Sequence, residues 1–304
     1  MGIEQLESRI APAAVFTYVD DNGHKVTVKT SKGTAVDLRA ICSVKNGHLN
    51  LINFTQNGTI ESEFAGSDVT VSDGGYGQVN VGVIDATGIS LGNVTITGSL
   101  GAIDVGTGSG TAIALLKTKA INGDSTSYPS SISGDATAIT VNGAISGNIS
   151  VSGTIGTLTA NKVLGGSETN SGYVSAGDID TLIVKNGIIG GNGTSSGTVV
   201  ATGEITTATI GQLLGGGGAN SARLQAADFG TITVNHNIKG ASGGASPRFT
   251  RSRAALRRSW SRAVCWAGRE RRLAASSRPA TASPMAAWSS KATCRPVPAA
   301  AVLR

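Results

Sequence analysis

The residues of this chain whose types and spacing could do chemistry are four carboxylates. Asp178, Asp180, Glu204 and Asp228 recur at similar points of successive sequence repeats. Two carboxylates on one face can divide acid and base roles in glycosidic cleavage, or hold a hard cation between them. Crowding of that kind also pushes carboxyl pKa values up. Against this chemistry, positions 178 and 204 are one residue out of phase with a 25-residue period, no basic partner flanks the acids, and no GGxGxDx calcium repeat is present. The acids are expected to be solvated turn residues that also discourage edge-to-edge pairing. Asp20 and Asp21 could open a calcium loop, but its further oxygen ligands are missing, and Asp21-Asn22-Gly23 fits a hairpin turn. His24, His48 and His236 lie far apart and none has triad-like context; His236 stands where earlier repeats carry Asn161, Asn186 and Gly211. Cys42 is the only cysteine before residue 247, and Cys265 and Cys294 lack metal-ligand spacing, so neither a disulfide framework nor a zinc site is expected. No catalytic, cofactor-binding or metal-ligating set is assigned, and no cofactor is expected.

One glycine loop invites a different reading. Residues 102–110, AIDVGTGSG, are followed by TAIALLKTKA. The segment resembles motif I of S-adenosylmethionine-dependent methyltransferases, in which a strand leads through a glycine loop into a helix. That resemblance implies glycines that let the backbone approach a cofactor. The context departs from the pattern: INGDSTSYPSSISGD is turn-rich where a second strand ending in a ribose-binding acid belongs. TAIALLKTKAINGD also superposes on DIDTLIVKNGIIGG as one repeat, so the loop is expected to be a repeat turn.

The elements that position all of these residues follow from a repeat. KVLGG, GIIGG and QLLGG place Gly165, Gly190 and Gly215 at intervals of 25 residues, and Gly240 continues the series. Val163, Ile188, Leu213 and Ile238 travel with them, and alanine recurs at 176, 201 and 226. Gly98 and Gly123 are also 25 apart, extending the period upstream, whereas Gly147 to Gly165 is only 18, which implies a shortened turn. A fixed period in the twenties marks stacked units that cannot bury their apolar faces alone. Twenty-five residues fit three short Val/Ile/Thr-rich strands and three turns, one coil of a parallel β-helix. The expected fold is therefore all-β, a β-solenoid of about seven coils and about 35 Å at the usual strand spacing, with Gly165, Gly190 and Gly215 at corners of positive φ. An antiparallel sandwich is the competing fold.

Upstream of the repeats, Val15 to Thr30 alternates apolar and polar residues about Asp21-Asn22-Gly23, a β-hairpin signature. Strands are expected at Val36–Val44, His48–Phe54 and Thr59–Phe64. The expected division is a leader over 1–14, a β-hairpin cap over 15–67, solenoid repeats over 68–246 and a basic disordered tail over 247–304. Composition supports the last boundary. Residues 1–246 carry 12 Lys+Arg against 18 Asp+Glu, and the tail carries 13 against one. The overall net charge of +6 thus averages an acidic body and a basic tail, and implies no specific nucleic-acid partner. Glycine codons of a GC-rich gene read one frame off become alanine, arginine and tryptophan codons, so a frameshift near residue 245 of a longer repeat protein is preferred to a genuine basic arm. No run of 18 apolar residues provides a transmembrane helix, and no secretory signal is recognisable.

LESRIAPA, Leu6 to Ala13, resembles the LEPR-type leader of large repetitive surface proteins of planctomycetes and verrucomicrobia-like bacteria, with Ser8 where that pattern has proline. Together with the strand repeats, the resemblance implies a non-enzymatic, adhesin-like protein of the cell surface or extracellular space. Its partners would be a surface, matrix or polysaccharide ligand, with self-association through an uncovered solenoid edge. A carbohydrate-active β-helix of polysaccharide lyase type is the alternative. The two differ in their faces: an enzyme needs acidic and basic groups converging on one groove, an adhesin smooth faces of Thr, Ser and Asn.

Overall fold

The computed structural model describes residues 13–55, 63–76, 79–123, 129–242, 244, 247–251, 263–266 and 292–296. The leader therefore lies almost wholly outside the described residues.

The chain is all-β, with stacked parallel coils forming a solenoid of about seven turns. The later coils show how sequence becomes stack. Tyr173–Ala176, Thr198–Ala201, Arg223–Ala226 and Arg248–Arg251 lie side by side in parallel, each offset by 25 residues from the last. Asp178–Val184, Glu204–Ile210 and Asp228–Val234 form a second sheet face, and the two-residue strands at 188, 213 and 238 a third. Because the register is parallel, like residues stack on like. The interior columns are Leu158–Leu182–Ala208–Ile232, Val163–Ile188–Leu213–Ile238 and Val174–Val199–Leu224–Phe249. Nearly all of these are fully buried, each burial contributing about 1.5–3 kcal/mol. The antiparallel sandwich is thereby excluded.

The glycine beat has a different cause from the one expected. None of Gly165, Gly190 and Gly215 adopts positive φ. At Gly165 a Cβ would stand 2.6 Å from the Gly191 nitrogen and 2.7 Å from the Gly197 nitrogen of the next coil, so space, not dihedral freedom, excludes a side chain. The left-handed residues sit later in the loop, in pairs at Asn170 (φ 59) and Gly172 (φ 60), Ser195 (φ 54) and Gly197 (φ 60), and Asn220 (φ 56) and Ala222 (φ 52). In these loops the buried hydroxyls of Ser171, Ser196 and Ser221 accept from the N–H groups of Gly166, Gly191 and Gly216 at 2.7, 2.9 and 2.9 Å. The short turn at Ser146-Gly147, between paired columns that elsewhere enclose the long loop, accounts for the 18-residue interval. Gly98 and Gly123 do not stack: Gly98 accepts from Lys119 N–H, whose own carbonyl accepts from Gly143 N–H. The upstream 25-residue spacing is a coincidence of coils whose lengths vary, as the 19-residue step from Asp85 to Asp104 shows.

The cap is built from two hairpins. Ala14–Val19 pairs antiparallel with Lys25–Thr30, and Cys42–Lys45 with His48–Asn53. Lys25–Thr30 then pairs antiparallel with Val69–Ser72, and His48–Asn53 pairs parallel with Asn80–Thr87, joining the cap edge-on to the first coil. Two expectations change here. Ala35–Ile41 is an α-helix, not the start of a strand: Thr34 caps it by accepting Asp37 N–H at 3.2 Å, and Leu38 and Ile41, one turn apart, are buried. The strand expected at Thr59–Phe64 lies mostly outside the described residues, and Glu63-Phe64 form a helical turn whose Phe64 ring packs edge-on to Phe54.

Most of the tail lies outside the described residues. Its described parts are strands, Arg248–Arg251 on the last full coil and Ala292–Pro296 antiparallel to Asp228–Val234 and Ala263–Trp266. The repeat register thus runs through Thr250, and Arg251 is the first residue out of type, paired with Ala226.

Ala222 alone of the three equivalent loop positions carries a Cβ in the left-handed region, which costs an L-residue about 1–2 kcal/mol. Ala222→Gly is expected to raise the unfolding free energy from urea titration by up to about 1 kcal/mol once glycine's chain entropy is subtracted, and Gly197→Ala to lower it.

Candidate functional site

The carboxylates expected near one another do meet in one column. Ile179 pairs with Ile205, a step of 26, and Glu204 with Asp228, a step of 24. These two departures cancel, so Asp178, Glu204 and Asp228 stack despite their sequence phase. Asp180 stands one column away, level with Thr206. Two of its acids accept backbone N–H groups, Asp228 Oδ1 taking that of Phe229 at 2.8 Å. Asp178 Oδ1 accepts the backbone N–H of Glu204 in the next coil at 2.6 Å, and a Cβ on Gly203 would collide with that carboxylate. The same device recurs where Asp68 accepts Asn93 N–H at 2.7 Å beside Gly92, and where Asp135 accepts Thr154 N–H at 2.8 Å beside Gly153. An aspartate in one coil lying over a glycine in the next is a corner clamp, and glycine is required because the carboxylate occupies the Cβ position.

A closer carboxylate pair lies where no repeat signalled it. Asp85 and Asp104 occupy successive rungs of one face. Burial pushes the Asp104 carboxyl above its ordinary value, and the charge of Asp85 adds to this, against a lowering by the Ser131 N–H that donates to Asp104 Oδ1 at 3.1 Å. Asp85 is tied to its own strand end, accepting from Thr87 N–H at 3.2 Å and from its hydroxyl at 2.9 Å.

The histidines have partners, near in sequence for His24 and distant for His48 and His236. His24 Nδ1 lies 3.5 Å from Asp20, and its ring stacks on Tyr76 with centroids 4.0 Å apart. His48 Nε2 lies 3.5 Å from Asp21. Asp20 is also the turn residue, accepting from Asn22 N–H at 3.0 Å and His24 N–H at 2.7 Å. His236 Nδ1 is 3.1 Å from the Gly211 carbonyl, a contact within the turn column it was expected to occupy. The Asp21–His48 pair borders a cleft of about 380 Å³ between cap and coils, to which Asn22, Asn80, Ser99 and Lys119 contribute. Ser99 Oγ donates to Asn80 Oδ1, and the cleft is lined by amide, carboxylate and imidazole groups.

The glycine loop at 106–110 is a turn between strands Ser99–Gly106 and Thr111–Thr118. The second strand buries Ala112, Ile113 and Leu116 and pairs with its neighbours in parallel, so the helix that a cofactor loop needs is replaced by a coil strand. Cys42 is half-buried, and burial pushes its thiol up to about 12, which makes it a poor nucleophile at neutral pH. Among the described residues no three His, Cys, Asp or Glu side chains gather to hold a metal ion, and no helix is long and apolar enough to cross a membrane.

The outward face of the second sheet is of another character. Thr157, Thr181, Thr207 and Thr231 form one column, and Thr140, Thr159, Ile183, Thr209 and Thr233 the next. Their side chains alternate with the buried column at 158, 182, 208 and 232 and are part-exposed or exposed. No protein-family model, curated protein or solved structure matches this chain. Its faces must therefore be interpreted from their own chemistry.

Because the folded Asp104 holds its proton more tightly than the unfolded chain does, stability falls as pH rises through its titration. Asp104→Asn, which keeps the acceptor for Ser131, is expected to raise the melting midpoint at neutral pH. The gain should vanish in acid, below the titration of both states, when melting is followed from pH 3 to 8.

Proposed function

We propose that this chain is a non-enzymatic repeat protein of the cell surface or extracellular space, an adhesin-like rod whose flat faces contact a matrix or polysaccharide partner. The observation that carries this reading is the division of labour between side chains. Carboxylates at coil corners accept backbone N–H groups of the next coil, whereas the threonine hydroxyls of the broad sheet are turned outward. A catalytic face needs the reverse: acids free to move protons, and hydroxyls kept out of the way. The leader resemblance supports the surface destination.

The alternative, a polysaccharide lyase working through Asp178 and Glu204, makes an opposite prediction. Incubated with soluble polyuronates and neutral glucans, the full chain is expected to release no reducing or unsaturated ends. Sedimentation with insoluble polysaccharide is expected to be the same for wild type and for Asp178→Asn/Glu204→Gln. Release of unsaturated ends that disappears in the double variant would establish the lyase instead.

A further inference from the structure

The partner-binding face can be given a specific occupant, and the inference rests on the reading of that face as a contact surface. The array begins at Thr140 and runs through Thr157/Thr159, Thr181/Ile183, Thr207/Thr209 and Thr231/Thr233 on successive rungs. The fold fixes both repeat distances. Rungs of a parallel sheet lie about 4.8 Å apart, and residues two apart along a strand about 6.6 Å. The result is a nearly rectangular two-dimensional lattice of hydroxyl and methyl groups.

Three observations narrow what such a lattice can meet. First, among the described residues none of these threonine hydroxyls has a hydrogen-bond partner in the protein, whereas the hydroxyls of Thr30, Thr87, Thr97, Thr118 and Ser171 are all engaged. Second, both columns are uncharged from Ala138/Thr140 to Thr231/Thr233; Lys117 ends the array upstream, and Asp180 and Lys185 stand outside it. A neutral face suits a neutral occupant, because a charged group in its midst would hold its own hydration shell. Third, β-branched side chains held between neighbouring rungs keep few χ1 states, so the array is ordered before anything binds. Ile183 keeps the branched shape and loses only one hydroxyl.

We propose that this face binds ice. The two spacings are close to the oxygen repeats of the prism plane of hexagonal ice. Each hydroxyl can take the place of a lattice water as donor and acceptor, while each γ-methyl group fills the space between waters without competing for hydrogen bonds. The array is five rungs long at most, so the expected activity is adsorption that slows crystal coarsening.

The test is ice recrystallisation in annealed frozen films of the full-length protein, beside Thr207→Lys, Thr181→Lys and Gln225→Lys. Gln225 lies on a different sheet, in the strand Arg223–Ala226. Wild type and Gln225→Lys are expected to hold crystals small at concentrations where each threonine variant coarsens at the rate of an inert protein. Circular dichroism of each variant establishes that it has folded, and the two threonine sites on different rungs guard against one that has not. Coarsening of wild type at the inert rate, or equal activity in folded Thr207→Lys or Thr181→Lys, overturns ice binding. If wild type shows no ice activity yet sediments with insoluble polysaccharide, only the ice proposal falls and the adhesin reading stands. If it neither slows ice nor sediments and instead releases unsaturated ends, both fall.

Discussion

Every feature of this molecule depends on the hydrogen bonds that run from one coil to the next. A parallel ladder fixes the offset between coils at every strand, so a residue is packed against its counterparts in the coils above and below. That single constraint turns a sequence period into columns of Val, Ile and Leu inside and columns of Thr, Ser and Asn outside. It also sets where side chains are forbidden. Gly165 is glycine because the next coil's backbone occupies the place of a Cβ, and Gly203 because the Asp178 carboxylate does. Such positions cannot drift independently: a change at one coil requires an answer in the next.

The columns explain how much of the fold was legible in the sequence. The 25-residue beat, the inward series Val163, Ile188, Leu213 and Ile238, and the first hairpin could all be read directly, because parallel stacking repeats chemistry at the repeat distance. What could not be read lay where the period is broken. Steps of 26 and 24 between 179, 205 and 229 put Asp178 and Glu204 out of phase on paper while stacking them in space. Steps of 19 in the early coils hid Asp85 over Asp104 and made Gly98 and Gly123 a false match. The helix Ala35–Ile41 was obscured because it is only seven residues long, and its signals are the Thr34 cap and the three-residue spacing of buried Leu38 and Ile41. The pairing of His48 with Asp21 arises from the folding of one hairpin turn toward the other, which no local pattern encodes, whereas His24 meets Asp20 within a single turn.

The candidate chemistry changes with the same logic. Spacing drew attention to the carboxylates and left them as solvated turn residues. In the stacked coils the aspartates at 68, 135 and 178 are clamps between turns, and the threonines are the groups with unspent hydrogen-bonding capacity. The proposed contact role rests on this contrast between clamped aspartates and outward threonines.

The claim on which all of this rests is the register of the coils, and site-directed cross-linking measures it. In parallel register Thr181 and Thr207 face each other at about 4.8 Å between Cα atoms, inside the disulfide range, whereas Thr181 and Thr209 stand about 8 Å apart, outside it. In a Cys42→Ser/Cys265→Ser/Cys294→Ser background, Thr181→Cys/Thr207→Cys is predicted to oxidise to an intramolecular disulfide, and Thr181→Cys/Thr209→Cys to remain reduced under the same conditions. Failure of the first pair to close, or closure of the second in its place, would contradict the stacked-coil account.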